Sequence, residues 1–164
     1  GSGSIIGDNC IIHSGARIGV SSFFHYDDNG IAKTFLGVGR SILRDGCQIG
    51  FNSIVQRGTF SDTIIGYRSL IGNLVVIAHD VEIGSDSLIV CQSGIASHAQ
   101  IGSHTKIWAQ SGVIDHVSIG NHSALLAKSV ATKNIPDGKI VSGIYGREHK
   151  SELKFLATLR KLGD

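Results

Sequence analysis

Methionine is absent from this sequence, proline and tryptophan occur once each, and only six Phe and three Tyr accompany the Trp. So few large rings beside 22 Gly suit a solenoid that turns many tight corners. No apolar run approaches the ~20 residues that a bilayer-crossing helix needs, which excludes a span of that kind. No secretory leader is recognisable, and a cytoplasmic location is expected. The formal net charge is only +2 and no basic cluster is interleaved with aromatics, so nucleic acid is not an expected partner. Without a Met to begin the chain, Gly1-Ser2 reads as a cloning remnant, and a natural segment ahead of it is an expectation. At 164 residues, one domain can bury a core of its own.

What the sequence does hold is a period of six. From Ile65 a large aliphatic residue recurs eleven times without a slip, through Ile71, Ile77, Ile83, Ile89, Ile95, Ile101, Ile107, Val113 and Ile119 to Leu125. Four residues after each stands a small one, such as Ser69, Val75, Val81, Ser87, Ser93 and Ala99. The small residue of one six and the aliphatic residue of the next are two apart, so on a strand both face the same way. The residues between them make the turn, and Gly66, Gly72, Gly84, Gly102 and Gly120 are expected to serve the bend. Three sixes close one triangular coil, and successive coils stack as parallel strands roughly 4.8 Å apart. Period six is no multiple of 3.6, which excludes a helical reading, and a fixed period of this kind signals a solenoid. Cys10 and Cys47 fall on the small inward position, which with Cys91 makes an odd number of thiols and suits a reduced, cytosolic core.

The register already runs at Ile6 with Cys10, Ile12 with Ala16, and Ile18 with Ser22. It breaks over residues 23–42, where Asp28-Asn29-Gly30 signals a turn and a loop or small hairpin leaves the prism. That excursion is either a plain surface insertion or a flap over a binding groove. The sixes resume at Leu43, Ile49 and Val55, and a four-residue excess then marks a second bulge at 58–63. The repeat fades after Val130, so residues 1–146 read as the solenoid and 147–164 as a helical appendage. A helix is expected over 148–162, with Leu153, Leu156, Leu159 and Leu162 on one side and Lys150, Lys154 and Lys161 on another. It covers the open end of the solenoid, packs on a neighbour, or docks an acidic carrier protein through its basic face.

Coils that repeat every eighteen residues stack their corners. One edge collects Tyr67-Arg68, Ser85-Asp86, Ser103-His104 and Asn121-His122; a second collects Asn73-Leu74, Cys91-Gln92, Ala109-Gln110 and Ala127-Lys128. A third brings together His79-Asp80, Ser97-His98 and Asp115-His116, three imidazoles and two carboxylates. Corner side chains are expected to point outward, so the choice lies between solvated surface polarity and a site. Two chemistries compete for that site. Three His could bind zinc, as gamma-class carbonic anhydrases do on this fold, but the His-x-x-x-x-His spacing of that family is absent. An unliganded His, with an intrinsic pKa near ~6.5, could instead abstract a proton at neutral pH.

The eleven sixes are similar to the hexapeptide-repeat family, which implies an all-β, left-handed parallel β-helix of about six coils, here followed by a C-terminal α-helix. Within it, Gly72-Asn73 and Ile77-Ala78-His79-Asp80-Val81-Glu82-Ile83-Gly84 resemble the active-site segment of the UDP-3-O-acylglucosamine N-acyltransferases of lipid A synthesis. The likeness extends through Gln56-Arg57-Gly58-Thr59-Phe60-Ser61-Asp62-Thr63-Ile64-Ile65-Gly66, to Ser111-Gly112-Val113-Ile114-Asp115-His116 and to the exit Ser142-Gly143-Ile144-Tyr145-Gly146, over roughly residues 15 to 162. It implies His79 as general base, His116 as a polar contact to the reacting carbonyl, Asn73 as an active-site position, and a homotrimer with the donor between prisms. There are departures. Gly72 stands where the family has an orienting Asp, for which Asp80 could substitute, as in the smaller acetyl-CoA-dependent sugar N-acetyltransferases of this fold. The flap, Ser22-Phe23-Phe24-His25, lacks the family's Gly-Phe-Gly-Phe pattern, and the uridine-gripping N-terminal domain is missing from the sequence.

The reading is therefore an N-acyltransferase of lipopolysaccharide or surface-glycan synthesis. It moves an acyl group from a pantetheine thioester, acyl-CoA or acyl carrier protein, to an amino group on a nucleotide-activated sugar. His79 is the base and Asp80 its orienting partner; Phe23, Phe24, His25, Asn73 and His116 line the substrate. A backbone N–H near Ser93-Gly94 is expected to meet the oxyanion. No metal and no permanently bound cofactor is expected. The rivals are an acetyl-CoA-dependent amino-sugar N-acetyltransferase, a zinc protein resembling gamma carbonic anhydrase, and a non-catalytic trimeric scaffold.

Overall fold

A computed structural model of the chain describes residues 1–143 and 149–163. Two-residue strands come round every six positions and pair in parallel with the strand one coil away, as in Leu70↔Leu88 and Ile71↔Ile89. Three sheets of six, seven and six strands result, the faces of a left-handed parallel β-helix of about six coils. One face runs from Ile5–Ile6 through Glu82–Ile83 to Ser118–Ile119, the next from Ile11–Ile12 to Ile140–Val141, and the third from Arg17–Val20 to Val130–Ala131. The periodic aliphatic residues fill the interior: Ile65, Ile77, Ile89 and Ile107 are fully buried, each stacked on its equivalent in the next coil.

The small inward residues carry a second ladder. On two of the three edges they are mostly hydroxyl-bearing, and most of these hydroxyls bond to the next coil. Ser69 Oγ donates to Gly84 O at 2.6 Å, Ser87 Oγ to Gly102 O at 2.8 Å and Thr105 Oγ1 to Gly120 O at 2.7 Å. The same oxygens accept amides from the coil above, Ser87 N to Ser69 Oγ at 3.0 Å and Thr105 N to Ser87 Oγ at 3.1 Å. A buried hydroxyl is tolerated there because both its donor and its acceptor capacity are used. Cys47 fits the same slot, with Sγ 3.0 Å from Gly66 O, and burial pushes its thiol up to about 11.

The bend itself differs from expectation. From Ile65 onward the left-handed backbone falls on residues such as Arg68, Leu74, Asp86 and His104, not on the glycines two places earlier. Those glycines answer a different need. A Cβ on Gly66 would lie 2.5 Å from the carbonyl carbon of Gly84, and one on Gly84 2.5 Å from Ser103 N, so coils can stack there only with no side chain.

Both departures from the repeat leave the third edge. The first is an antiparallel hairpin, His25–Asp28 with Ile31–Thr34, after which the solenoid resumes at Ser41–Leu43, slightly earlier than the sequence break suggests. The second is the bulge at 57–62, closed by Thr63–Ile65. A helix spans His149–Gly163, with Leu153, Leu156 and Leu159 about half exposed, so these leucines do not close the end of the solenoid in the single chain. Ile144-Tyr145-Gly146 of the expected exit and the side chain of Leu162 lie outside the described residues.

Candidate functional site

Stacked coils place equivalent corner residues in rows along the third edge. His79, Ser97 and Asp115 form one row; Asp80, His98 and His116 form the other, all three with the left-handed backbone of the corner. His98 and His116 stack face to face, 4.6 Å between centroids and 3° between planes. His98 Nε2 lies 3.8 Å from Asp80 Oδ2. His79 stands nearly perpendicular to His98 at 5.4 Å and bonds through Nδ1 to Asp80 Oδ2 at 2.8 Å.

The expectation that corner side chains reach into solvent fails for this pair. His79 is 4% exposed and the Asp80 side chain fully buried, although neither belongs to the aliphatic core. The two excursions cover them. Phe24, ahead of the hairpin, meets the His79 ring edge-on at 5.9 Å and packs at 5.5 Å against Phe60 of the bulge, which also stacks on Phe35. Arg40 and Asp62 pin hairpin to bulge through a bidentate ion pair, and Arg57 Nε donates to Gly39 O at 2.8 Å. Gly58 makes the bulge possible, since a Cβ there would sit 1.7 Å from Ser61 O.

Beneath this cover the bulge wraps the carboxylate. Asp80 accepts amides from Thr59 at 3.0 Å, Phe60 at 3.2 Å and Ser61 at 2.8 Å, and the Ser61 hydroxyl at 2.8 Å. Burial by itself raises a carboxyl's pKa; the bonds from His79, Ser61 and Thr59 outweigh it and bring Asp80 down to about 2. Asp80 is thus ionised at neutral pH. A carboxylate accepting from Nδ1–H leaves Nε2 as the lone-pair nitrogen of a neutral imidazole. The cleft beside the pair holds about 200 Å³ and is lined by Phe23, Phe24, His25, His79, Ser97, His98 and His116.

Five of the eight site residues read from the sequence, Phe23, Phe24, His25, His79 and His116, therefore meet in one cleft, with Asp80 directly behind His79. Asn73 does not join them. It sits on the second edge, and its Oδ1 accepts the Phe51 amide at 2.9 Å, a structural bond between coils. Gly94 is not among the cleft-lining residues, and its amide is spent in the sheet on Ser111 O at 3.0 Å, so it has no free donor for an oxyanion. The nearby Ser97 amide is likewise taken, by Asp115 Oδ1 at 2.9 Å. Sequence reasoning placed Ser61 in the bulge but gave neither it nor the bulge a role at Asp80. The four-residue excess located the bulge, but nothing in the period says that its amides turn inward. Among the described residues, His79, Asp80 and His98 also form a group whose ligand-capable atoms lie within 4.8 Å of one another.

No family model matches the chain. Over 91 residues it is 46% identical to the UDP-3-O-acylglucosamine N-acyltransferase of Sinorhizobium fredii, a match covering 54% of this chain and 25% of that protein. It is 39% identical over 90 residues to the enzyme of the same name from Azorhizobium caulinodans, covering 55% and 25%. These matches span about a quarter of the length of the curated relatives. Among solved structures, the UDP-N-acetylglucosamine O-acyltransferase of Moraxella catarrhalis superposes with a TM-score of 0.73 at 28% identity, over 91% of this chain and 58% of that one. A Francisella novicida UDP-N-acetylglucosamine acyltransferase gives 0.78 at 22% identity over 93% and 56%, a likeness of fold.

Proposed function

We propose that the chain is the catalytic solenoid of an acyltransferase, moving an acyl group from a pantetheine thioester to the amino group of a nucleotide-activated sugar. The observation that carries this is the buried His79–Asp80 pair facing a cleft lined by Phe23 and Phe24. The relatives' names supply the substrate class, a UDP-linked glucosamine acceptor and an acyl donor. His79 Nε2 takes the proton of the attacking amine as nitrogen bonds to the thioester carbon. The carbon–sulfur bond then breaks, and the imidazolium returns the proton to the departing thiolate. Asp80 holds the tautomer and offsets the positive charge formed in between. His116 and His98 border the path to the carbonyl, and the donor reaches it as acyl-CoA or acyl carrier protein, along a groove shared with a neighbouring copy in a homotrimer.

The test pairs two measurements. A thermal-shift panel of CoA, acyl-CoA and acyl carrier protein donors against UDP- and dTDP-amino sugars should yield one stabilising pair. That pair should then turn over in the wild type and not in His79→Ala of unchanged oligomeric state. Undiminished turnover in the variant would overturn the assignment. A second reading rests on the His79, Asp80 and His98 group, which could hold zinc. Against it, both Asp80 oxygens already accept hydrogen bonds, Oδ2 from His79 and Thr59. Stoichiometric zinc in purified protein, with activity lost on chelation, would favour the metal reading.

A further inference from the structure

Asp80 is held by more donors than its ionisation alone requires, and one of them is of a different kind. Oδ1 accepts the amides of Thr59, Phe60 and Ser61 and the Ser61 hydroxyl; Oδ2 accepts the Thr59 amide and faces His79 Nδ1. Any residue supplies an amide. Only a hydroxyl-bearing side chain supplies the fourth bond to Oδ1, and Ser61 Oγ sits 2.8 Å away. The bulge cannot follow a carboxylate that turns, because Gly58 is packed on Ser61 O, Val38 N donates to Thr59 O at 3.0 Å, and Asp62 is bridged to Arg40.

Resting on the acyl-transfer reading above, we propose that Ser61 is a positioning residue. Its hydroxyl and amide lock the Asp80 carboxylate, which in turn locks the His79 imidazole in the orientation that presents Nε2 to the acceptor. The ionisable groups facing Asp80 are His79, His98 at 3.8 Å, and Asp62 on the same bulge, itself neutralised by Arg40. None of these replaces a lost hydroxyl. His98 and Asp62 cannot reach Oδ1 without breaking their own contacts, so the carboxylate in Ser61→Ala keeps its amides and gains a degree of freedom.

The test compares Ser61→Ala with Ser61→Thr. A bond to a charged group is worth ~1.5 kcal/mol, so Ser61→Ala should lower kcat about tenfold at unchanged KM for both substrates. Ser61→Thr, which keeps the hydroxyl, should recover most of it. A second readout is independent of turnover. Followed by carboxyl NMR, Asp80 should titrate at higher pH in Ser61→Ala than in the wild type, where it is held to about 2, and return in Ser61→Thr. Equal loss in both variants marks a purely steric role and overturns the proposal. So does unchanged kcat in Ser61→Ala despite a shifted titration. Undiminished turnover in His79→Ala would overturn the catalytic reading instead, while the titration still decides whether Ser61 holds the carboxylate.

Discussion

On one edge of the prism His104 stacks on His122 at 4.8 Å and 7°, and on another His98 stacks on His116 at 4.6 Å and 3°. The repeat alone generates both pairs, since residues eighteen apart must lie one above the other. What lies one coil before each pair separates them. Next to His104 is Asp86, partly exposed and bridged directly to the exposed Arg68. Next to His98 is Asp80, sealed under the bulge and bonded to a buried imidazole. The inward residues differ as well. Ser69, Ser87 and Thr105 run a hydrogen-bonded ladder beneath the first edge, whereas the third has Val81, Ala99 and Val117 in those slots. An uninterrupted corner spares a single amide for a carboxylate, as Ser97 N does for Asp115 Oδ1, whereas the bulge turns three onto Asp80. Inserting a bulge multiplies the amides available, and the hairpin excludes the water that would otherwise compete with them.

The sharpest way to break this comparison is to remove one imidazole from each edge. His79→Ala is expected to lower turnover by ~10²–10⁴, the usual worth of a general base, while His104→Ala leaves it unchanged. Steady-state thioester consumption measures both, and equal effects would erase the distinction between the edges. Next comes the acid in each row. Asp80→Ala orphans three amides and a buried His, and should cost about 3–5 kcal/mol in urea unfolding. The same change at partly exposed Asp86, whose partner Arg68 stays in solvent, should cost far less.

Acid provides a third contrast. The Asp80 pKa is depressed to about 2 in the folded state, below the ~3.9 of an unfolded chain, so the stability it contributes is intact above pH ~4 and lost as pH falls through about 2. The gap in melting temperature between wild type and Asp80→Asn should therefore narrow between pH ~4 and 2 and be flat at higher pH. The smallest effect probes the serine ladder. Ser87→Ala strands the Thr105 amide and the Gly102 carbonyl and should cost about 1–3 kcal/mol without touching turnover. Ala99→Gly on the third edge, where no hydroxyl ladder exists, should leave hydrogen-exchange protection of the neighbouring coils unchanged.

The period of six was legible because Ile65 to Leu125 keep step through every coil, and a solenoid repeats one local solution. The break after Ser22 and the excess near Gly58 were legible for the same reason, as failures of that step. The glycines were read for the wrong cause. Gly66 and Gly84 look like bend residues, yet they serve coil-to-coil contact, a constraint between residues eighteen apart that no single six contains. Within one chain Asn73, read from likeness of segment, and Gly94, read from its place in the next coil, both stand apart from the cleft. One lies on another edge, and the other has its amide tied into a sheet.

By itself the sequence determined the stack of three-sided coils, the two places where the chain leaves it, and the edge on which His79, His98 and His116 align. All of these follow from counting along the chain, because side-chain direction in a six-residue rung depends only on position within the rung. The tertiary structure alone decided that His79 and Asp80 are buried, that the amides of Thr59, Phe60 and Ser61 converge on one carboxylate, and that Phe24 closes over the imidazole. Burial and convergence arise where two irregular segments, twenty residues or more apart, pack against each other. No periodicity constrains that meeting, and only the folded chain brings it about.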